Sequence, residues 1–150
     1  MIEDDIPLKR IIVPLDGSDS SFRAAKYAIK VAKMADAEII FVHVVVNPAY
    51  RDARNVGIMT AAYIKEAEEL AELWYVKAGN MASNEGVKFA AETILDVASA
   101  ADSIVNYAES KKADLIVIGT KGRTGIKRLL LGSVASGVVT HASCPVLVTR

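Results

Sequence analysis

Five short apolar runs alternate with four longer stretches of helical periodicity, and this alternation limits the fold more than any other feature of the chain. The runs are Ile11-Ile12-Val13, Ile39 to Val46, Val87 to Ala91, Leu115 to Ile118 and Pro145 to Thr149. Each has strand length, and Ile39 to Val46 is apolar almost throughout, as suits a parallel strand buried on both faces. Between them, about Ser21 to Ala35 places Ala25, Ala28, Ile29 and Ala32 at helical spacing. Ser18, Asp19 and Ser20 stand before it as good N-caps. About Met59 to Ser83, about Ala98 to Lys111 and Leu131 to Ala142 repeat the helical pattern, while Asn47 to Ile58 reads as a loop. Strand-helix alternation of this kind implies parallel strands joined by right-handed crossovers. The predicted fold is α/β: an open, Rossmann-like parallel sheet with helices on both faces, forming one domain over residues 1–150.

Bulk properties narrow the function. The chain has 150 residues, 52% of them hydrophobic, enough for one buried core and too many for a disordered segment. Lysine plus arginine equals aspartate plus glutamate, 18 against 18, so no global field draws the chain to nucleic acid or to an anionic membrane. An anion site would have to be local. The single cysteine, Cys144, excludes an intrachain disulfide and points to a reducing compartment. Met1 to Arg10 carries three acidic residues and is not expected to be a signal peptide; the apolar runs are too short to span a bilayer. A soluble, cytoplasmic protein is the expectation.

In an open parallel sheet ligands bind beyond the carboxyl ends of the strands, where the strand order reverses. Two loops are placed there. One holds Pro14, Leu15, Asp16 and Gly17 after the first strand, and the other begins at Gly119 after the fourth. The second loop runs Gly119, two residues, Gly122, nine residues, then Gly132-Ser133-Val134. Glycines let a ligand approach the main chain, and successive free N–H groups can converge on an anion. Gly132 and Ser133 fall at the start of the last helix, where free N–H groups and the helix dipole favour phosphate. Lys121, Arg123, Lys127 and Arg128 add positive charge nearby. A plain glycine-rich connector carrying solvated basic residues has the same spacing, so spacing alone leaves both readings open.

The stretch from Gly119 to Arg150, with Leu130-Leu131-Gly132-Ser133-Val134 and Cys144-Pro145-Val146-Leu147-Val148, resembles the C-terminal signature of the universal stress protein family. Val13-Pro14-Leu15-Asp16-Gly17-Ser18 and His43-Val44 resemble that family as well, and the similarity extends over essentially the whole chain. The resemblance implies a five-stranded parallel sheet in the order 3-2-1-4-5. The full glycine pattern is that of the family's ATP-binding branch. Carried over by position, Pro14, Leu15, Asp16 and Val44 would hold adenine and ribose, and Gly119, Gly122, Gly132, Ser133 and Val134 the phosphates. A divalent ion, Mg²⁺ or Mn²⁺, would accompany the triphosphate. The family also implies a homodimer through the C-terminal edge strand, Pro145 to Thr149, and an unpaired apolar edge invites such pairing. The loop Asn47 to Ile58 varies in the family, and no contact is carried over to it.

The remaining candidates weigh less. Asp16 could bond a nucleotide or cap the helix that follows; Ser18 and Ser20 are available as caps, which favours the first role. His43 suits the core or a crevice edge, His141 the C-terminal end of a helix, and Cys144 a packed, inert thiol. The two histidines and Cys144 show no metal-ligand spacing, and the helix bearing Trp74 suits core or interface. No Walker pattern, dinucleotide fingerprint or base for a γ-phosphate water is visible in the sequence. The resemblance therefore implies a regulatory ATP-binding module, and the missing base implies slow ATP hydrolysis at most. A slow ATPase or adenylate-transferring enzyme on the same fold, and a dimeric interaction protein without nucleotide, are the alternatives.

Overall fold

The structure, a computed structural model, describes residues 5–46, 60–96, 99–121 and 131–150. Its elements are β1 (Arg10–Pro14), α1 (Asp19–Ala35), β2 (Glu38–Val46), α2 (Thr60–Asn84), β3 (Phe89–Asp96), α3 (Ala100–Ser110), β4 (Leu115–Gly119), α4 (Ser133–His141) and β5 (Val146–Thr149). The strands are all parallel and lie in the order β3-β2-β1-β4-β5, so the order reverses between β1 and β4. The expected α/β sheet, its strand order and its helices on both faces are all present.

Period-2 alternation divides each central strand between two cores. Ile11, Val13, Ile39, Phe41 and Val117 face α1 and α2, where Ala24, Ala25, Ala28 and Ala32 of α1 and Ala71, Ala78 and Ala82 of α2 meet them. Ile12, Ile40, Val42, Ile116 and Ile118 face α3 and α4, against Ile104, Val105, Ala108, Ala135 and Val138. The alanines on α1 and α2 let those helices sit close to the sheet. Burial on both faces is the reason the central strands read as continuous apolar runs.

Local chemistry sets the element ends. Among the three candidate caps of α1, Ser18 takes the position, and its Oγ accepts from Ser21 N–H at 3.1 Å. Ser99 caps α3 in the same way, accepting from Asp102 N–H at 3.1 Å. The third strand starts at Phe89, two residues later than the pattern predicts, and runs on to Asp96, five beyond the predicted end. It is an edge strand, so Glu92 is tolerated on it, and Glu92 accepts from the Tyr107 hydroxyl at 2.5 Å. Cys144 is half-buried, and that burial pushes its thiol pKa up, as suits a packed and unreactive side chain. No helix among the described residues is long and apolar enough to cross a membrane.

Candidate functional site

A cavity of about 280 Å³ opens at the carboxyl ends of β1, β2 and β4, at the point where the strand order reverses. β1 contributes Pro14 and, just beyond it, Leu15 and Asp16; β2 contributes Val42, His43 and Val44; β4 contributes Ile118 and Gly119. Gly132, Ser133, Val134 and Ala135 close it at the start of α4, and Ala100 and Ile104 of α3 form part of its floor. Eight of the nine expected site residues thus line one cavity: Pro14, Leu15, Asp16, Val44, Gly119, Gly132, Ser133 and Val134. The ninth, Gly122, lies outside the described residues, as do Arg123, Lys127, Arg128 and the loop Asn47 to Ile58.

The turn after β1 is held by a small hydrogen-bond network. Asp16 Oδ1 accepts from Ser18 N–H at 2.9 Å and from Ser18 Oγ at 2.5 Å. Asp16 therefore supports the cap of α1, and its role in the turn and its place at the cavity coexist on one side chain. Ser21 Oγ donates to Ser18 O at 2.8 Å and completes the first turn of the helix. Leu15 N–H donates to Val42 O at 2.7 Å, which ties the turn to β2. His43 reaches the same residue from the other side, its Nδ1–H donating to Leu15 O at 2.7 Å.

The opposite side is the start of α4. Its N-cap is Gly132, which has no side chain to accept from the first-turn N–H groups. Those groups belong to the residues that line the cavity, so donors and the positive helix end face into it. Gly132 N–H donates to Thr120 O at 2.7 Å, and Thr120 N–H to Thr149 O at 2.8 Å. These two bonds pin the strand exit and the helix entry together, side by side at the mouth of the cavity. Lys121 lies on the rim, with its N–H donating to Ser20 Oγ at 3.3 Å. Gly119 sits against the first turn of α1, where a β-carbon would come 2.8 Å from Ser20 O.

Chemically, one end of the cavity is apolar, walled by Pro14, Leu15, Val42, Val44 and Ile104, and the other presents backbone donors and Lys121. That is a combination suited to a flat apolar group joined to an anion. His43, expected in the core or at a crevice edge, lies at the edge of the cavity. Lys121, expected as positive charge near the loop, lines the cavity, whereas Thr120, Ala100 and Ile104 were missed as lining residues. Thr120 sits inside the quoted glycine motif and could have been found there; Ala100 and Ile104 arrive by tertiary packing of α3, for which no local signal exists. Among the described residues no group of three His, Cys, Asp or Glu side chains gathers to hold a metal.

A sequence profile of the "Universal stress protein family" matches residues 7–150. A universal stress protein of Methanocaldococcus jannaschii is 45% identical over 144 residues, covering 95% of this chain and 82% of that protein. The structure of universal stress protein UspA from Lactobacillus plantarum superposes with a TM-score of 0.83 at 26% identity, over 97% of this chain and 100% of that one. The crystal structure of a universal stress protein in complex with cAMP superposes with a TM-score of 0.73 at 25% identity, over 95% and 97% of the two chains.

Proposed function

The chain belongs to the universal stress protein family, and from that footing we propose that its cleft binds ATP and that the protein is a regulatory nucleotide-binding module of a stress response. The observation that carries the reading is the meeting of the Pro14-Leu15-Asp16 turn with the start of α4 across one cavity. Adenine and ribose would lie against Pro14, Leu15, Asp16 and Val44. The phosphates would approach the backbone at Gly119 and Gly132 and take the first-turn N–H groups of Ser133 and Val134, with Gly122 between them in sequence. Mg²⁺ or Mn²⁺ accompanying the triphosphate would be held chiefly by phosphate oxygens. Among the described residues, the ionisable side chains of the cavity wall favour binding over turnover: Asp16 and His43 both belong to the base end and both serve the turn, while Lys121 is a cation. In-line hydrolysis asks for a group that orients water beyond the γ-phosphate.

ATP at 100 times its dissociation constant is expected to add about 2.7 kcal/mol of stability, or roughly 5–10 °C in Tm for a chain of this size. Gly132→Val is expected to weaken ATP binding at least about tenfold while the fold survives, since the cap residue has extended backbone angles that valine adopts. No thermal response at millimolar ATP with Mg²⁺ or Mn²⁺ would count for a dimeric interaction protein without nucleotide. Phosphate or pyrophosphate release in proportion to protein, abolished by Gly132→Val, would count for a slow ATPase or adenylate-transferring enzyme. The cAMP complex of a relative favours one second reading, a cyclic monophosphate ligand. Calorimetry with ATP, AMP and cAMP side by side decides between them.

The same reading places the protein in the cytoplasm, as one domain that pairs with a second copy. β5 is an edge strand, and Leu147 on it is part-exposed. Pairing of β5 with its copy about a twofold axis would satisfy that edge. Light scattering is expected to return twice the chain mass, and Leu147→Lys to shift the mass towards one chain. A single-chain mass for the unaltered protein at micromolar concentration would remove the dimer.

A further inference from the structure

The base end of the cleft is shaped by an irregular turn, and two side chains from other parts of the chain bear on it. His43 on β2 is the first. A carbonyl only accepts, so the 2.7 Å approach of Nδ1 to Leu15 O makes the ring the donor and puts its hydrogen on Nδ1. Trp74 on α2 is the second. Its indole meets the imidazole edge to face, with ring centroids 4.9 Å apart and planes at 86°, the arrangement that aromatic quadrupoles prefer.

Trp74 also occupies the space beside Gly17. A β-carbon there would fall 2.5 Å from indole Cε2 and Cζ2, and Gly17 has φ of 82°, a left-handed conformation. Leu15 is thus gripped by hydrogen bonds to β2 on both its N–H and its carbonyl, and Gly17 by a ring from α2. Asp16 lies between the two grips.

We propose that His43 and Trp74 are positioning residues for the ligand: they hold the Leu15–Gly17 turn in its ligand-ready shape before anything binds. The inference rests on the nucleotide reading above. A pre-shaped turn spares the ligand the entropy of ordering it, so loosening the turn appears as lost affinity more than as lost fold.

The test compares His43→Leu with His43→Asn, because an asparagine amide N–H reaches nearly where the imidazole Nδ1–H does. Wild type, both variants and Trp74→Leu are titrated with ATP by calorimetry, and their Tm values are measured in parallel. His43→Leu is expected to raise the dissociation constant about tenfold, His43→Asn to recover most of that loss, and Trp74→Leu to raise it at least threefold. Trp74 is the only tryptophan of the chain, so its fluorescence in wild type is expected to change on saturation with ATP. Wild-type affinity in either His43→Leu or Trp74→Leu overturns the proposal, and so does equal loss in His43→Leu and His43→Asn. If His43→Leu fails to fold, His43→Asn and Trp74→Leu decide by the same criteria: wild-type affinity in Trp74→Leu, or a tenfold loss in His43→Asn, overturns it. Absence of ATP binding in the wild type is a different result, which fells the nucleotide reading and this inference with it.

Discussion

Phe41→Ala is expected to lower the stability of the chain by about 3–5 kcal/mol, and the Tm by roughly 6–20 °C. Phe41 is at the middle of β2, wholly buried, and the largest of the fully buried side chains. It sits in the layer between the sheet and α1 and α2, its ring 6.0 Å from that of Phe89 on the neighbouring strand. Alanine there removes the transfer free energy of a benzyl group and leaves a cavity between a strand and two helices. Those helices cannot close on it easily, because their alanines already lie against the sheet. A domain of this size is commonly stable by only 5–15 kcal/mol, so a large part of the margin would go. Met34→Ala, at an 84% exposed position of α1, is the control and is expected to move stability by less than about 0.5 kcal/mol. Chemical denaturation of both variants checks the pair, and comparable midpoints would contradict the packing described.

The helices and central strands were legible because one physical cause, burial on one or two faces, governs both their pattern and their structure. The strand order was not legible from pattern. It came from the family resemblance, since alternating strands and helices are compatible with several parallel orders. β3 was read too short because its exposed edge position frees Glu92 and Thr93 from the need to be apolar. Thr93 and the Glu92 carbonyl instead hold the buried Tyr75 hydroxyl, at 2.8 Å each, an arrangement that no local spacing foretells. Burial raises the Tyr75 pKa above its ordinary value.

The candidate site divides in the same way. Gly119, Gly132, Ser133 and Val134 line the cavity, but their spacing alone also fits a plain connector, and the family resemblance is what singles them out. By its sequence context Asp16 is either a ligand contact or a cap. The structure gives it a hydrogen bond to the cap residue Ser18 and a place on the cavity wall, so the two roles do not exclude each other. The grip of His43 and Trp74 on the turn was not legible, because β2 and α2 meet there only after the sheet has formed. Gly17 carried a partial signal. A glycine after a strand marks a turn with positive φ, but the indole that fills its side is visible only in three dimensions.

Gly119→Ala should join both themes, costing stability and binding together. The glycine ends β4 at the point where the first turn of α1 crosses it. An added β-carbon would fall nearest to Ser20 Oγ, and would also lie 2.8 Å from Ser20 O and 2.9 Å from Ser20 C, well inside contact distance. The hydroxyl can turn aside, but the carbonyl belongs to a helix backbone and cannot. Helix and strand must move apart, at a cost of roughly 1–3 kcal/mol, or about 2–12 °C in Tm. The same separation would stretch the bond from Lys121 N–H to Ser20 Oγ and widen the cavity between Gly119 and the Asp16 turn. ATP affinity is therefore expected to fall at least about tenfold, more than in a variant such as Met34→Ala with no role at the cleft. Combining Gly119→Ala with Ser20→Ala separates the causes. The double variant loses the hydroxyl but keeps the carbonyl, so it is expected to remain destabilised and weak in ATP binding. Full recovery of Tm would instead place the conflict on the Ser20 side chain alone, and close backbone approach would no longer be the reason a glycine stands at the end of β4.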